Sequence, residues 1–378
     1  MPTSKTSHYD VIIVGAGING CASAWFLRRS GLRVALIDQS GIAAGGSGAA
    51  GAFISPKFSK SGPLKEIMAA AHAEALDFYA DHFSHYTLQR PLLHIANSLA
   101  ESEKLAAYKN ATDLEYSEIP ETLRSLILAE AQINESIYLS RGAVVDAQGV
   151  CRAMANGVDF FCIAATDPSY VQGLWHVGNL CAEHLVLTTG AYPKVLPSES
   201  VKLRAIWGHR IDIRSTTYLP CILHHFVSIS PTTTEGIIAV GATHDVHYDP
   251  FGTVPYDVEE GRKILLEKAS KTLRLENVEV VCDYTGLRSG THDYYPIAGA
   301  LIDEDSTLKE FQKTGIIPDL RRCIRYPNAW MINGSGGYGF VLAPYLARRL
   351  AEQIAQGKAL DPALSPGRFL IRQMKRQS

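Results

Sequence analysis

The chain has 378 residues, of which 46% are hydrophobic and 20% charged, and its formal net charge is −2. This length predicts at least two domains, and the near-neutral charge excludes a nucleic-acid binder held by bulk charge alone, although a local basic patch stays open. Seven scattered cysteines without a C-x-x-C pair favour buried thiols in a reducing compartment over disulfides or a metal site. The polar N-terminus leads straight into a strand, and the apolar run after it is broken by glycines. We therefore expect a cytoplasmic protein with neither a signal peptide nor a membrane span.

The first predicted element is a strand, glycine turn, helix and second strand within Asp10–Ser40, read as "VIIV", "CASAWFLRR" and "RVALID". The turn carries G-x-G-x-x-G at Gly15, Gly17 and Gly20. The first glycine permits the tight turn, the second lets the backbone approach a pyrophosphate, and the third allows close helix–strand packing. Asp38 ends the second strand, where a carboxylate can bind ribose hydroxyls. This context predicts a dinucleotide site, with a ligand-free strand–turn–helix as the alternative.

The segment after Asp38, "QSGIAAGGSGAAGAFISPKFSK", is rich in glycine and small residues, where a nicotinamide-binding domain usually continues into a regular helix. It resembles the "G-A-S-x-x-N-A/G-G" segment of FAD enzymes in the D-amino-acid oxidase and glycine oxidase superfamily. In that superfamily the segment runs along the pyrophosphate toward the isoalloxazine, so the resemblance implies FAD. The cofactor-binding residues expected in this half are Gly15, Gly17, Ile18, Asn19, Gly20, Asp38, Gln39, Gly46, Ser47 and Gly48.

The hydrophobic pattern changes along the middle of the chain. "PLKEIMAAAHAEALDFYADHF" (63–83) has helical apolar spacing, and the buried strand within "EHLVLTTGAY" (183–192) ends in Thr-Gly. Short alternating strands between 204 and 284 predict an antiparallel sheet. A last strand, "AWMIN", meets "GSGGYG" and a helix, which is a second strand–glycine–helix unit. A plain C-terminal α/β element is the alternative to a second nucleotide contact here. The cofactor-binding residues expected in this half are Gly190, Gly334, Gly336, Gly337, Gly339 and Phe340.

Two such units around an antiparallel region predict an α/β fold: a Rossmann-like FAD-binding domain with an inserted antiparallel β-sheet substrate domain, as in glycine oxidase. We expect a discontinuous FAD-binding domain at 1–85, 141–203 and 286–378, and a substrate domain at 86–140 and 204–285. The N-terminus of the last helix would stabilise the negative charge that develops when the flavin is reduced.

"GLRSGTHDYYPIAGA" (286–300) carries the main catalytic candidate, Arg288. It resembles the "G-L-R-P-x-T/R-x-D-x-x-P" segment of glycine-oxidase-like flavoenzymes, whose arginine clamps the substrate carboxylate, although Ser289 replaces the proline. An arginine fork binds both carboxylate oxygens at once. Enzymes of the sarcosine-oxidase type attach FAD through a cysteine near this segment, which here has none, so we expect non-covalent FAD. An ion-paired surface arginine is the alternative role.

His244 and His247 have an H-x-x-H spacing, but without a further ligand nearby this is weak support for a metal, and we predict no metal site. In the superfamily, "GAT" ends a strand beside the flavin ring. This resemblance implies that His244 is a polar active-site group that helps oxygen, the expected electron acceptor, react with reduced flavin. A solvated loop histidine is the alternative.

Nearly the whole chain resembles the FAD-dependent oxidase half of the bifunctional bacterial enzymes of the MnmC family, which modify the wobble uridine of tRNA. "SGAAGAFISPKFSK" resembles the family's "SGNxxGALYPxLSK", "GATHDVHYD" lies at its "GASY", and "GSGGYGFVLAP" resembles "GSRGLxxAP". The tail "ALSPGRFLIRQMKR" resembles "LNPxRxxxRxLxK". In that family the flavin oxidises the glycine-like arm of 5-carboxymethylaminomethyl-uridine, and hydrolysis of the imine leaves aminomethyl-uridine and glyoxylate.

The chain departs from that family at several positions. Ala49 and Gly336 stand where the family has asparagine and arginine, and Tyr338 replaces a leucine. The Tyr338 hydroxyl could reach the substrate, with a packing tyrosine as the alternative. No methyltransferase half is present, so we expect a separate methyltransferase to carry out the following step. Four tail residues suit tRNA phosphates, with a solvated basic terminus as the alternative; they are Arg368, Arg372, Lys375 and Arg376.

Together these patterns predict an FAD-dependent amine oxidase that removes a carboxymethyl group from a secondary amine on a tRNA wobble uridine. A free-standing oxidase of glycine, sarcosine or a D-amino acid is the runner-up. A flavin-fold protein that binds tRNA or a partner without turnover is the alternative from another class.

Overall fold

A computed structural model of the chain describes residues 7–58, 62–131, 133–192, 195–316 and 319–377. The strands are β1 (Ser7–Val14), β2 (Val34–Ile37), β3 (Phe53–Ile54), β4 (Thr87–Ile95), β5 (Tyr116–Ser117), β6 (Ser136–Val145), β7 (Asp159–Phe161), β8 (Ser169–Val171), β9 (Leu174–Val177), β10 (Leu180–Leu187), β11 (Leu203–Arg214), β12 (Ile222–His224), β13 (Ser228–Ile229), β14 (Ile237–Gly241), β15 (Glu279–Thr291), β16 (Ile297–Ile302) and β17 (Arg325–Asn333). The helices are α1 (Ile18–Arg29), α2 (Pro63–His82), α3 (Leu99–Lys109), α4 (Glu121–Arg124), α5 (Ala147–Ala155), α6 (Val258–Ser270), α7 (Glu304–Thr314), α8 (Gly339–Gln356) and α9 (Gly367–Gln377). Residues 1–6 of the polar N-terminus and Lys60 of the family-like segment lie outside the described residues.

The described residues separate into two compact units. The first unit comprises Met1–Ser47, Cys151–Ala205 and Arg288–Ser378, and the second comprises Gly48–Val150 and Ile206–Leu287. The chain is thus of the predicted α/β class. It crosses between the units in the loop at 47/48, within α5 at 150/151, and within β11 and β15 at 205/206 and 287/288, so the first unit is assembled from three separated segments.

The first unit is built on a mostly parallel sheet in the order β16-β17-β10-β1-β2-β7. The strands β17, β10, β1, β2 and β7 are parallel to their neighbours, whereas β16 pairs antiparallel with β17. The segment Val11–Val14 is buried on both faces, as expected for β-branched residues in a central parallel strand. Helices α1 and α8 pack against each other. The carboxyl ends of β1 and β17 each lead into one of these helices, so both glycine turns lie at the same edge of the sheet.

The second unit contains a nine-stranded sheet whose main path is β15-β11-β14-β13-β12-β4-β6-β3. Its neighbours pair antiparallel, except for β12 and β4, which are parallel. The inward residues of β11 and β14, among them Ile211, Ile213, Ile238 and Val240, form a core with Leu265 of α6. The antiparallel sheet predicted for 204–284 is therefore present, and it is extended by the earlier strands β3, β4 and β6.

The boundaries of the units differ from those of the predicted domains at all four crossings, and two of the differences are large. The sequence analysis assigned 48–85 and 141–150 to the FAD-binding domain, whereas these residues lie in the second unit. The physical reason is that β3 pairs with the end of β6, and α2 packs on β3, β4 and β6. The other two crossings, at 205/206 and 287/288, lie two residues beyond the predicted 203/204 and 285/286.

Among the described residues, no helix is both long and apolar enough to cross a membrane.

The seven cysteines are free, and five of them are buried. Cys21 of α1 donates to the carbonyl of Ala16 at 3.2 Å. A hydrogen bond with Cys151, together with burial, raises the pKa of the Cys21 thiol well above its usual range. Such thiols are inert packing groups at neutral pH, as the composition predicted.

Four histidines are buried in the second unit, namely His72, His94, His209 and His225, and His224 is half-buried. The ring of His224 lies between two hydroxyls, with Nε2 2.7 Å from Ser55 Oγ and Nδ1 2.8 Å from Ser228 Oγ. Burial lowers the pKa of His224 to about 3, and it lowers the pKa of His72 and His225 to about 4. The rings of His72, His224 and His225 are therefore neutral in the folded protein at pH 7.

We expect the thermal midpoint of the holoprotein to fall as the pH is lowered from about 6.5 toward 4. An unfolded histidine titrates near pH 6.5, so in this window the unfolded chain binds more protons than the folded chain, and stability declines with falling pH. His72, His224 and His225, whose pKa values are lowered, each contribute up to about 1.4 kcal/mol per pH unit. Calorimetry at several pH values checks this. The variant His72→Gln should show a shallower decline, and exposed His247→Gln serves as the control. A midpoint that stays constant from pH 6.5 to 4 would contradict the account.

Candidate active site

The first glycine turn, between β1 and α1, has no room for side chains. Gly15 has a φ of +103°, and a Cβ on it would lie 2.5 Å from the carbonyl oxygen of Thr188. A Cβ on Gly20 would lie 1.8 Å from the carbonyl oxygen of Gly15. Gly17 precedes α1 in an extended conformation and, as a glycine, has no side chain to cap the helix. The turn itself therefore presents only backbone at the N-terminus of α1, which is the geometry that accommodates a phosphate group.

Asp38 holds the loops around this turn. Its Oδ2 accepts a hydrogen bond from the amide of Ala16 at 2.8 Å, and its Oδ1 accepts from Ser40 and Gly41 at 2.8 and 3.2 Å. An ionised carboxylate can accept about four hydrogen bonds, so one acceptor position stays available for a ribose hydroxyl. Gln39 beside it is exposed. Asp38 thus stabilises the turn as well as being positioned for the role predicted from the sequence.

The small-residue loop after Asp38 folds back onto the turn. The amide of Ile18 donates to Ser47 Oγ at 2.9 Å, and the amide of Ala43 donates to the carbonyl of Ala16 at 2.9 Å. A Cβ on Gly45 would lie 3.3 Å from the ring of Tyr192. The predicted residues Gly46 and Ser47 therefore lie directly beside the start of α1, and Gly48, the first residue of the second unit, follows them.

The second glycine turn, between β17 and α8, meets the first. Gly334 and Gly336 have φ values of +70° and +57°, and a Cβ on Gly334 would lie 2.5 Å from Thr291 Cγ2. Asn19 Nδ2 donates to Ser335 Oγ at 3.3 Å, and a Cβ on Gly339 would lie 3.3 Å from Ile18 Cγ2. Gly337 lies between these glycines, and Phe340 is buried in the first turn of α8.

Two helices thus begin side by side, and their partial positive charges add at one place. Bare glycine backbone, two helix N-termini and the Asp38 carboxylate together fit a dinucleotide with a pyrophosphate. These residues would hold FAD through its pyrophosphate and ribose groups.

A buried asparagine that the sequence analysis missed joins the last turn to the rest of the site. Asn333 is 2% exposed, and its Nδ2 donates to the carbonyl of Gly190 at 2.9 Å. Its Oδ1 accepts from the amide of Gly334 at 2.8 Å and from Ser289 Oγ at 2.6 Å. Ser289, where the family segment has proline, therefore donates a hydrogen bond that proline lacks. The available signal was a polar residue ending the otherwise apolar strand "AWMIN".

Arg288 and Tyr338 belong to the first unit, and the backbone brings their segments together. Gly290 forms an isolated antiparallel bridge with Ser335, so the end of β15 lies beside the turn that carries Tyr338. Burial lowers the pKa of the Arg288 guanidinium from its ordinary value, yet an arginine stays charged at neutral pH. Tyr338 is half-buried at the start of α8. A half-buried cation such as Arg288 is suited to binding a carboxylate.

His244 belongs to the second unit, in the loop after β14, and its side chain is exposed. The carboxylate of Asp245 folds this loop by accepting from the amides of His247 and Tyr248 at 2.8 and 2.9 Å. Within the described ranges, no three His, Cys, Asp or Glu side chains are grouped to hold a metal ion. The role of His244 toward oxygen stays a prediction.

The four tail residues do not share one environment. Arg368 is 9% exposed and forms a bidentate pair with Asp293, from Nε to Oδ2 at 3.0 Å and from Nη2 to Oδ1 at 3.2 Å. Its Nη2 also donates to the carbonyl of Tyr295 at 2.8 Å. The predicted phosphate contact of Arg368 does not fit this arrangement, because its donors are directed into the protein. Arg372 also contacts Asp293 but is half-exposed, and Lys375 and Arg376 are exposed.

Replacing Asp38 with alanine should weaken FAD binding roughly 10- to 100-fold without unfolding the sheet. A charge-assisted hydrogen bond to a ribose hydroxyl is worth about 1.5–3 kcal/mol, and the turn loses its anchor as well. Titration of the apoprotein with FAD gives the dissociation constant, and far-UV circular dichroism reports the fold. Asp10→Ala, an exposed acid that accepts from the Arg33 amide, is the control. An unchanged constant for Asp38→Ala would mean that the ribose is bound elsewhere.

A family profile described as FAD dependent oxidoreductase matches residues 10–353. The chain is 27% identical to the tRNA 5-methylaminomethyl-2-thiouridine biosynthesis bifunctional protein MnmC of Maricaulis maris, over 97% of this chain and 56% of that protein. It is 25% identical to the protein of the same name from Marinobacter nauticus, over 95% and 57%. The chain thus spans little more than half the length of these curated relatives.

Solved structures agree on the fold. Glycine oxidase from Geobacillus kaustophilus superposes with a TM-score of 0.75 at 19% identity, covering 95% of this chain and 98% of that one. Iminodiacetate oxidase from Chelativorans sp. BNC1 superposes with a TM-score of 0.68 at 17% identity, covering 94% and 98%. The predicted glycine-oxidase-like fold is confirmed.

Proposed function

The chain belongs to the FAD-dependent oxidoreductase family, and on that premise we propose that it removes the carboxymethyl group of 5-carboxymethylaminomethyl-uridine at the wobble position of tRNA. FAD is its cofactor, and it is an amine oxidoreductase that acts on CH–NH bonds. The observation that supports the tRNA substrate is the similarity to an MnmC protein along 97% of the chain.

The proposed reaction starts on the glycine-like arm of the modified base. Two electrons and two protons leave the CH–NH bond, and the product imine takes up water to give aminomethyl-uridine and glyoxylate. Bound FAD supplies the two-electron acceptor. Oxygen is the final acceptor in this proposal, and a methyltransferase is the partner that consumes the aminomethyl product.

Arg288 has the most specific role in this proposal. Its guanidinium binds both oxygens of the substrate carboxylate and so fixes the orientation of the adjacent methylene group. The half-buried position of Arg288 supports this role, because a partly desolvated cation binds a carboxylate more strongly than a solvated one. Tyr338 lies at the start of α8, where its hydroxyl can donate to the substrate, and His244 assists the reaction with oxygen.

An oxidase of glycine, sarcosine or a D-amino acid is the second candidate. The similarity to the glycine oxidase fold favours it, and a carboxylate clamp serves a free amino acid equally well. The third candidate function is that of a flavin-fold protein that binds tRNA or a partner without catalysis. Bleaching of the flavin by substrate would exclude this candidate.

Glyoxylate release separates these candidates. The FAD-loaded protein is incubated with tRNA that carries 5-carboxymethylaminomethyl-uridine, with the free modified nucleoside, and with sarcosine, glycine and D-alanine. Pyruvate is measured in place of glyoxylate for D-alanine, because its imine hydrolyses to pyruvate. The proposal expects glyoxylate from the tRNA at a much lower substrate concentration than from sarcosine or glycine. Rapid release from a free amino acid and none from tRNA would favour the second candidate.

A further inference from the structure

Two basic elements of the first unit share one small apolar core. Helix α9 packs through Leu370 and Met374 against Ile302 and Cys323, with Leu308 and Phe311 of α7 beside them. Leu320 contacts the start of the helix, where a Cβ on Gly367 would lie 3.0 Å from Leu320 Cδ2. The segment 319–325 and helix α9 are therefore held next to each other by packing, although they are separated by more than forty residues in sequence.

The segment 319–325 has a fixed backbone. Asp319 Oδ1 accepts from the amides of Arg321 and Arg322 at 2.8 and 3.1 Å. The amide of Ile324 donates to Thr307 Oγ1 at 3.0 Å, and Arg325 Nη2 donates to the carbonyl of Leu320 at 2.8 Å. Arg321, Arg322 and Arg325 thus lie on a hydrogen-bonded turn, and their side chains are exposed to solvent.

Six exposed cations belong to these two elements, and together they are termed the basic surface: Arg321, Arg322, Arg325, Arg372, Lys375 and Arg376. The last three have helical spacings of three and four residues, which places them on one side of α9. Of the acidic side chains in contact with either element, Asp293 is paired with Arg368 and also contacts Arg372, and Asp319 accepts from the backbone. Helix α7 carries three acids against two lysines, but Glu304 is buried and accepts from Ser200. The exposed side chains of α7, Asp305 and Glu310 against Lys309 and Lys313, therefore add no net charge to the surface.

We propose that the basic surface binds the phosphate backbone of the tRNA substrate, with Arg321, Arg322 and Arg325 as contacts that the tail alone does not supply. This rests on the proposed function. Nucleic acid is favoured over an anionic membrane because the apolar side of α9 is buried in the protein and cannot insert into lipid. The chain as a whole has a net charge of −2, so a local surface of this kind, and not bulk charge, has to attract phosphates.

The test uses three charge-reversal variants of the FAD-loaded protein. One carries Arg321, Arg322 and Arg325→Glu, one carries Arg372, Lys375 and Arg376→Glu, and the matched control carries three exposed lysines of the second unit, Lys104, Lys263 and Lys271→Glu. Binding of unmodified tRNA is measured at several salt concentrations. Each lost phosphate contact lowers the slope of log K against log salt by about 0.7–0.9, so three contacts raise the Kd roughly 100-fold at 0.1 M salt.

We expect each surface variant to bind tRNA roughly 100-fold more weakly with a slope lower by about 2 to 3, and the control to bind as the wild type does. Glyoxylate release from the free modified nucleoside should be unchanged in all three. If charge reversal at Arg321, Arg322 and Arg325 leaves the Kd and the salt slope unchanged, the basic surface does not bind tRNA, while the proposed function stands. The proposed role of the surface is also refuted if the wild-type protein fails to bind tRNA, or if it binds vesicles of anionic lipid through these residues instead. Loss of nucleoside turnover in wild-type protein, with tRNA binding intact, would reject the proposed function alone.

Discussion

Reduction of the flavin by substrate should be about 100-fold slower in the Arg288→Lys variant than in the wild type, with FAD content and fold unchanged. Hydride transfer from the substrate to the flavin requires the methylene group of the substrate to be positioned to within about an ångström. Misplacement on that scale lowers the rate roughly 100-fold. A bidentate guanidinium fixes both the position and the rotation of the carboxylate, whereas an ammonium fixes only a point. We also expect weaker binding of the substrate.

Anaerobic stopped-flow mixing with tRNA that carries the carboxymethylaminomethyl group measures this rate directly. Arg33→Lys, at an exposed arginine whose side chain is 63% accessible, is the matched control. Bleaching at the wild-type rate in Arg288→Lys would show that Arg288 is not the carboxylate clamp. Loss of FAD from the variant would instead indicate that Arg288 supports the cofactor site.

Replacing Asp293 with alanine should lower the free energy of unfolding by about 3 kcal/mol. The pair with Arg368 is buried, with side-chain exposures of 9% for Arg368 and 14% for Asp293. Burial alone would raise the pKa of Asp293, but Arg368, with smaller contributions from Arg372 and Thr291, outweighs it and lowers the pKa. Removing the carboxylate leaves the Arg368 charge buried. The expected loss lies at the low end of the usual range because Arg368 keeps backbone carbonyl partners.

Chemical denaturation of the holoprotein at pH 7 measures this loss, since the folded-state pKa of Asp293 lies below the ordinary carboxyl value and its stabilisation is present above that value. Arg372→Gln is the control, because Arg372 is 49% exposed and its contact with Asp293 is worth less than about 1 kcal/mol. If Asp293→Ala lowers the free energy of unfolding by less than Arg372→Gln does, the pair of Asp293 and Arg368 does not stabilise the folded tail.

The features that could be predicted from the sequence depend on neighbouring residues. Each glycine turn lies within one short strand–turn–helix, and the steric demands of Gly15 and Gly20 are satisfied within a few residues and by one strand neighbour, Thr188. The family resemblance added the cofactor and the candidate clamp, Arg288. The α/β class and FAD were therefore accessible before the structure was known.

The features that could not be predicted depend on distant partners. Arg368 and Asp293 are 75 residues apart, and each matched a separate family segment, so the sequence offered no sign that they pair with each other. Pairing of β3 with β6 likewise moved 48–85 and 141–150 into the second unit. Asn333 was missed because its role depends on Gly190, a residue 143 positions earlier.

Mass spectrometry of wobble nucleosides from cells that lack this chain tests the central claim most directly. The account predicts that 5-carboxymethylaminomethyl-uridine accumulates in tRNA and that the aminomethyl nucleoside and its methylated product disappear, with both restored by the wild-type chain but not by Arg288→Lys. Wobble nucleosides identical to those of the parent cells would contradict the account.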